Sequence, residues 1–381
     1  MLLLPFRILC HKNITKSIVQ FQAIKVKTIP VHFTPIPAYI EKKRRWSPLP
    51  LAITILLTLG VILVNGWTDA PNAIATCVAT KSMGLRPAIP MAALMNLQGA
   101  LTMTALNPFV ACTIYNMVDF GTNTQNASVA LCAALVAIVV WSIAAWAFGI
   151  PTSESHALIA GLTGAAVALH GNLSGVSGKA WRSVLIGMIL SVVLAFLLGF
   201  LCARVVSPTL PRPQFFRRAQ IVGAAATAFM HGAQDGQKFM GVFLLGVHLA
   251  SGTAASSSGV KTFPIPLWLT LLCATVMALG TAMGGKKIID SVGSGITDLT
   301  PRTGFCADLG AALSLLTASL LGLPVSTTHA KVTAIMGVGA ADHPRQVNLR
   351  TVREMVLTWV CTFPGCGVLG FAVARLLMWI W

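Results

Sequence analysis

From Leu49 onward the chain alternates between long apolar runs and short polar connectors. Ten runs can be counted, at 49–82, 88–106, 127–150, 151–169, 183–203, 219–250, 264–284, 303–323, 324–339 and 355–381. Most approach the roughly 20 apolar residues that a helix needs to cross a bilayer. The pattern predicts an all-α integral membrane protein.

The runs divide as five and five. Between the sets, residues 204–218 hold Arg204, Arg212, Arg217, Arg218 and three prolines, which predicts an exposed basic loop. The expected organisation is therefore a basic, disordered extension over 1–48, a first transmembrane repeat over 49–203, the loop, and a second repeat over 219–381. The repeats correspond in content as well as in number. The first run is broken by Asn65-Gly66-Trp67-Thr68-Asp69-Ala70-Pro71-Asn72 and the sixth by His231-Gly232-Ala233-Gln234-Asp235-Gly236-Gln237-Lys238. The fourth opens Pro151-Thr152-Ser153-Glu154-Ser155-His156 and the ninth Pro324-Val325-Ser326-Thr327-Thr328-His329. Asp69 to Asp235 is 166 residues and His156 to His329 is 173, so the landmarks keep register within seven. An odd number of crossings per half turns the second copy upside down, and inverted repeats with broken helices are an architecture of secondary transporters. Runs four and nine are short and glycine-rich, consistent with re-entrant segments.

Composition agrees with the membrane reading. Only 10% of the residues are Asp, Glu, Lys or Arg, 55% are hydrophobic, and mean hydropathy is +0.78, where soluble proteins carry about 25% charged residues. The net charge of +17 comes from 27 basic and 10 acidic residues, and nine of the basic ones lie in 1–48. No basic stripe is interleaved with exposed aromatics, which argues against nucleic acid as a partner. The nine cysteines are scattered through apolar runs without metal spacing and read as small hydrophobes.

The breaks carry the candidate chemistry. A broken helix in hydrocarbon leaves backbone groups unpaired unless it lies beside protein or a watery cavity. An intramembrane Asp marks an ion or substrate pathway. Asn65, Asn72, Gln234 and Gln237, with Asp69, Asp235 and freed carbonyls, form a hard-oxygen set suited to a sodium ion or a proton. Lys238 either neutralises Asp235, attracts an anion or snorkels. The two proline-started segments are complementary. A helix starting at depth offers free backbone amides, a positive dipole end and hydroxyl donors, which make an anion site. Ser153 and Ser155 from one copy and Ser326, Thr327 and Thr328 from the other are the substrate candidates; the alternative reading is simple N-capping. His156 and His329 either relay protons, donate to the anion or hydrogen-bond within the helix start. Glu154 either faces the site or pairs with a basic group. Carboxylates near an oxyanion favour phosphate, which keeps a proton near neutral pH, over sulfate.

At these motifs the chain resembles the inorganic phosphate transporter (PiT) family, over residues 49–381. The residues that carry the resemblance are Asn65-Gly66 with Asp69-Ala70-Pro71-Asn72-Ala73-Ile74-Ala75-Thr76, the two proline-started segments, His231-Gly232 with Asp235-Gly236-Gln237-Lys238, and Gly284-Gly285-Lys286-Lys287-Ile288-Ile289. The resemblance implies two inverted repeats, phosphate held by Ser153, Ser155, Ser326, Thr327 and Thr328, and coupling cations near Asn65, Asp69, Asn72 and Asp235. Glu154, His156, Gln234, Gln237, Lys238 and His329 are supporting candidates. Gln234 stands where the family more often has Asn, and Thr68 where His or Asn is usual, so proton, sodium and metal-phosphate symport all stay open. The expectation is a symporter of inorganic phosphate in a bacterial plasma membrane, with no cofactor beyond the coupling ion and with a homodimer as its assembly. The alternatives are a carrier of sulfate or another oxyanion, a membrane enzyme acting on phosphoryl groups, and a passive anion channel. Against the enzyme, no acid-base-nucleophile set or metal-ligand spacing is present.

Overall fold

The computed structural model describes residues 48–150, 152–206, 213–250, 264–283, 285–342, 345 and 347–380. The basic extension up to residue 47, the centre of the basic loop at 207–212, Pro151 and Gly284 lie outside the described residues. The described chain is helical apart from one isolated antiparallel bridge between Val118 and Val176.

Among the described residues fourteen α-helices follow one another. The first seven are α1 (Pro48–Thr68), α2 (Ala75–Ala79), α3 (Leu85–Leu106), α4 (Phe109–Tyr115), α5 (Thr124–Ala147), α6 (Glu154–His170) and α7 (Gly178–Val205). The others are α8 (Pro213–His231), α9 (Gln237–Ala250), α10 (Leu267–Ala282), α11 (Lys286–Ser294), α12 (Pro301–Leu320), α13 (Thr327–Asp342) and α14 (Leu349–Ile380). Six helices, counting α1 and α2 together, are long and apolar enough to span a membrane, and α10 with α11 makes a seventh if the pair forms one bent span. Their outward faces carry large apolar side chains such as Leu56, Ile186, Ile189, Leu201 and Val360, as lipid contact requires.

The two expected breaks differ physically. After Thr68 the chain tightens into a 3-10 turn over Ala70–Ile74, because Pro71 has no N–H to continue the α-helical ladder. The second site has no proline. There the helix widens into a π-helical stretch at Gly232–Gly236 and runs on into α9, so the interruption expected at His231–Lys238 is a bulge in a nearly continuous helix.

The short segments start as their sequences dictate. Gly149 and Gly322, at φ of 69° and 67°, turn the chain after α5 and α12, a left-handed conformation that favours glycine. Ser153 and Ser326 then cap the new helices, accepting from the amides of His156 at 3.3 Å and His329 at 3.2 Å. At 17 and 16 residues, α6 and α13 reach only about 25 Å at 1.5 Å per residue, short of the ~30 Å hydrocarbon core. Packing crosses between the halves of the chain. α6 lies mainly on α14 and α13 mainly on α7, while α10 packs on α1 and α8 on α3.

These crossings are close. A Cβ on Gly232 would lie 2.0 Å from the Asn96 carbonyl oxygen of α3. Gly232→Ala therefore forces α8 from α3 and shifts Asp235 with it. We expect a clear drop in melting temperature in detergent, at the upper end of the ~1–3 kcal/mol typical of overpacking. Gly60→Ala, with nothing within 4 Å, is the control and should be silent. Equal melting of the two variants would refute the tight crossing.

Candidate functional site

The two breaks and the starts of α6 and α13 converge on one buried polar cluster. Asp69 is 2% exposed, Asp235 and Glu154 1%, and Lys238 0%. Burying charge is tolerated when it is paired and hydrogen-bonded; Asp235 and Lys238 are paired with each other, while Asp69 and Glu154 take hydrogen bonds from neutral donors of both halves.

Asp69 is held by the start of α13. Thr328 donates its hydroxyl to Asp69 Oδ1 and Thr327 donates to Oδ2 at 3.4 Å. Asn72, one turn on, donates its amide to Asp69 Oδ1 at 2.7 Å and to Thr328 Oγ1 at 2.9 Å. The first break and the second short helix are thus joined over 256 residues of sequence.

Asp235 is held differently. Asn65 donates to its Oδ2 at 3.1 Å, His231 Nε2 lies 3.3 Å from the same oxygen, and the Lys238 ammonium sits 2.6 Å from Oδ1. Lys238 also donates to Ser155 Oγ at 2.6 Å and to the Val325 carbonyl at 2.5 Å. It ties the π-helical stretch to the starts of both short helices, so of the three sequence readings, neutralising Asp235 is the one the geometry favours. Glu154 accepts from Thr68 through Oε1, and its Oε2 has no partner. It faces a recess shared with Thr68, Asp69, Ser142, Trp146 and Thr152; none of its hydrogen bonds or ion pairs among the described residues is to a basic side chain.

Other expected residues lie at the margin. Gln234 donates to Ser319 Oγ at 2.9 Å and accepts from the Val325 amide at 3.4 Å, bracing the turn before α13. Gln237 donates to the Asn107 carbonyl at 2.9 Å. Ser153 and Ser326 use their hydroxyls as caps. His156 and His329 meet edge to face at 4.4 Å between ring centres, flanked by Phe363 and Trp359 of α14. They join the two short helices directly.

Among the described residues one group able to bind a cation forms. Ligand atoms of Asp69, His231 and Asp235 lie within 4.8 Å of one another, all buried. The side-chain amide oxygens of Asn65 and Asn72 have no donor. Sequence reasoning gave His231 no role. Its signal was available in Asn96, an amide inside the apolar run of α3, whose Oδ1 accepts from His231 Nδ1 at 3.0 Å and marks a buried partner.

With this geometry in view, comparison with known proteins is informative. The model of the phosphate transporter family matches residues 65–213 and again 207–370. The chain belongs to the phosphate transporter family. It is 39% identical over 329 residues to the probable low-affinity inorganic phosphate transporter of Bacillus subtilis, covering 84% of this chain and 96% of that one. A Rhizobium meliloti protein of the same description is 35% identical, covering 84% and 94%. Among solved structures, one described as the sodium-dependent phosphate transporter superposes with a TM-score of 0.75 at 25% identity, covering 87% of this chain and all of that one. Membership accounts for the all-α membrane architecture and sets the chain among transporters and permeases, which are not enzymes.

Proposed function

We propose that the protein is a symporter that carries inorganic phosphate across the membrane with a cation, using two inverted repeats at 49–203 and 219–381. The reciprocal packing of α6 on α14 and α13 on α7 supports halves related by a two-fold axis, the arrangement in which substrate sits between repeats at the midplane. In this reading Ser153, Ser155, Ser326, Thr327 and Thr328, with the amides at the starts of α6 and α13, receive phosphate. Asn65, Asp69, Asn72 and Asp235, joined by His231, receive the cation.

The observation that carries the reading is the charge balance of the buried cluster. Three carboxylates, Asp69, Asp235 and Glu154, share one ammonium, Lys238, so a bound cation offsets the excess before an anion enters. Hydroxyls of Thr327 and Thr328 turned onto Asp69 are donors that a cation on Asp69 frees for phosphate. Sodium is the first choice, supported by the name of the structural neighbour and by the unpartnered amide oxygens. A proton is the second, supported by Glu154 and its unpartnered oxygen. Phosphate is preferred to sulfate because it retains a proton that can be donated to a carboxylate. The bacterial relatives support a bacterial plasma membrane as its location.

The test is uptake of radiolabelled phosphate into proteoliposomes under an imposed sodium or proton gradient. Accumulation driven by one gradient and undiminished by equimolar sulfate is expected. Uptake indifferent to both gradients refutes symport, and equal inhibition by sulfate refutes the phosphate preference.

A further inference from the structure

Outside this site a second buried polar cluster forms where five elements meet. Lys331, on the second turn of α13, is 1% exposed and Asp308 on α12 is 0% exposed. The Lys331 ammonium donates to Asp308 Oδ1, to Thr76 Oγ1 at 3.1 Å and to the Ala73 carbonyl at 3.2 Å. Thr76 donates to the same carboxylate oxygen at 2.7 Å, and Thr227 of α8 donates to the Asp308 backbone carbonyl at 3.2 Å. Asp308 Oδ2 has no partner. The cluster fastens α12 and α13 to the far side of the first break, one turn beyond the contacts of Thr327 and Thr328 with Asp69.

Its counterpart in the other half is wholly different, a comparison that rests on the two-repeat reading. The 166-residue offset of the breaks carries Ala73, Thr76 and Thr227 to Phe239, Val242 and Val61, and the 173-residue offset of the short helices carries Asp308 and Lys331 to Leu135 and Leu158. All five counterparts are apolar, buried and members of one hydrophobic core. Equivalent ends of a duplicated scaffold are therefore closed by different physics. A buried ion pair has given up the hydration of both ions and recovers it when water enters. An apolar cluster loses its stabilisation on wetting.

We propose that the Asp308–Lys331–Thr76 cluster is the hydratable gate on one face of the transporter, and that the Leu135–Leu158–Val242 cluster is its dry opposite. Water entering the polar end solvates the pair, releases Ala73 and Thr76, and frees the first break with Asp69. The unpartnered Asp308 oxygen accepts from that water. The apolar end opens only by movement of whole packed helices.

Cys77 follows Thr76, is 0% exposed, and reports on this gate. Wild-type protein is reconstituted in proteoliposomes, treated during phosphate uptake with a small membrane-impermeant methanethiosulfonate, and analysed by peptide mass spectrometry. Modification of Cys77 from one face is expected. In Asp308→Leu/Lys331→Leu, which copies the dry end, modification and uptake should both fall at least tenfold while the protein still reaches the membrane. Cys77 protected from both faces in a protein that takes up phosphate overturns the gate and leaves the transport reading intact. So does a double variant with unchanged uptake. The wild-type labelling decides by itself should the double variant not accumulate. A wild type that takes up no phosphate overturns both readings.

Discussion

Asp69→Asn is expected to abolish phosphate accumulation while leaving folded protein in the membrane. Asp69 takes donors from Asn72, Thr327 and Thr328 and has no basic partner among the described residues, so removing its charge strands no buried cation. The amide keeps an acceptor for Thr328 and is nearly isosteric. What it loses is the negative charge that attracts the coupling ion. Loss of that charge at a site of low dielectric is worth several kcal/mol of ion binding, enough to leave the cation site empty at millimolar concentrations. Asp235→Asn should also stop accumulation, with a marked fall in stability because it leaves the buried Lys238 ammonium without its carboxylate, on Ser155 and the Val325 carbonyl alone. The measurements are gradient-driven uptake and the amount of monodisperse protein after solubilisation. Normal transport by either variant removes that residue from the proposed cation site.

Lys238→Met should do more damage to the fold than either aspartate change. Among the described residues its ammonium is the only ion-pair partner Asp235 has besides His231, and it bridges the π-helical stretch to both short helices. Removing one member of a buried pair costs roughly 3–5 kcal/mol, because the other charge stays buried without compensation. A protein whose whole stability is ~5–15 kcal/mol tolerates that poorly. Adding Asp235→Asn to Lys238→Met removes the stranded charge. The double variant should recover much of the lost melting temperature without recovering transport. If the single variant melts like wild type, Lys238 is not the electrostatic keystone inferred from its contacts.

The site was legible in the sequence to the extent that it consisted of residues out of place. Asp69 and Asp235 stand out because an acid within an apolar run has few structural excuses, and the repeated Ser/Thr-His starts reinforce them by register. The form of the breaks was only half legible. Pro71 makes a 3-10 turn in one, but the second break has glycine at both ends of a stretch without proline, and whether such a stretch kinks or widens depends on the helix packed against it. Partnerships were hidden for another reason. Asn72 meets Thr328 across 256 residues and Lys331 meets Asp308 on a neighbouring helix. No local pattern encodes which helices become neighbours. Ser153 and Ser326 were read both as ligands and as caps, and here their hydroxyl oxygens accept from the amides of His156 and His329, a role that uses only the acceptor side of each hydroxyl.

The mutual exchange of packing partners also bears on how the protein is made. α6, whose first turn brings Glu154 and Ser155 to the site, finds its main support in α14, the last helix of the chain. Between His170 and Leu349 lie 178 positions, roughly 10 to 40 s of synthesis at 5–20 residues per second. During that interval a glycine-rich segment too short to span the bilayer, bearing a glutamate and a histidine, has α5 beside it but lacks its main packing partner. Packing around the start of α6 is thus completed only once α14 is made, and truncation before α14 leaves the first half of the molecule unfinished as well as the second.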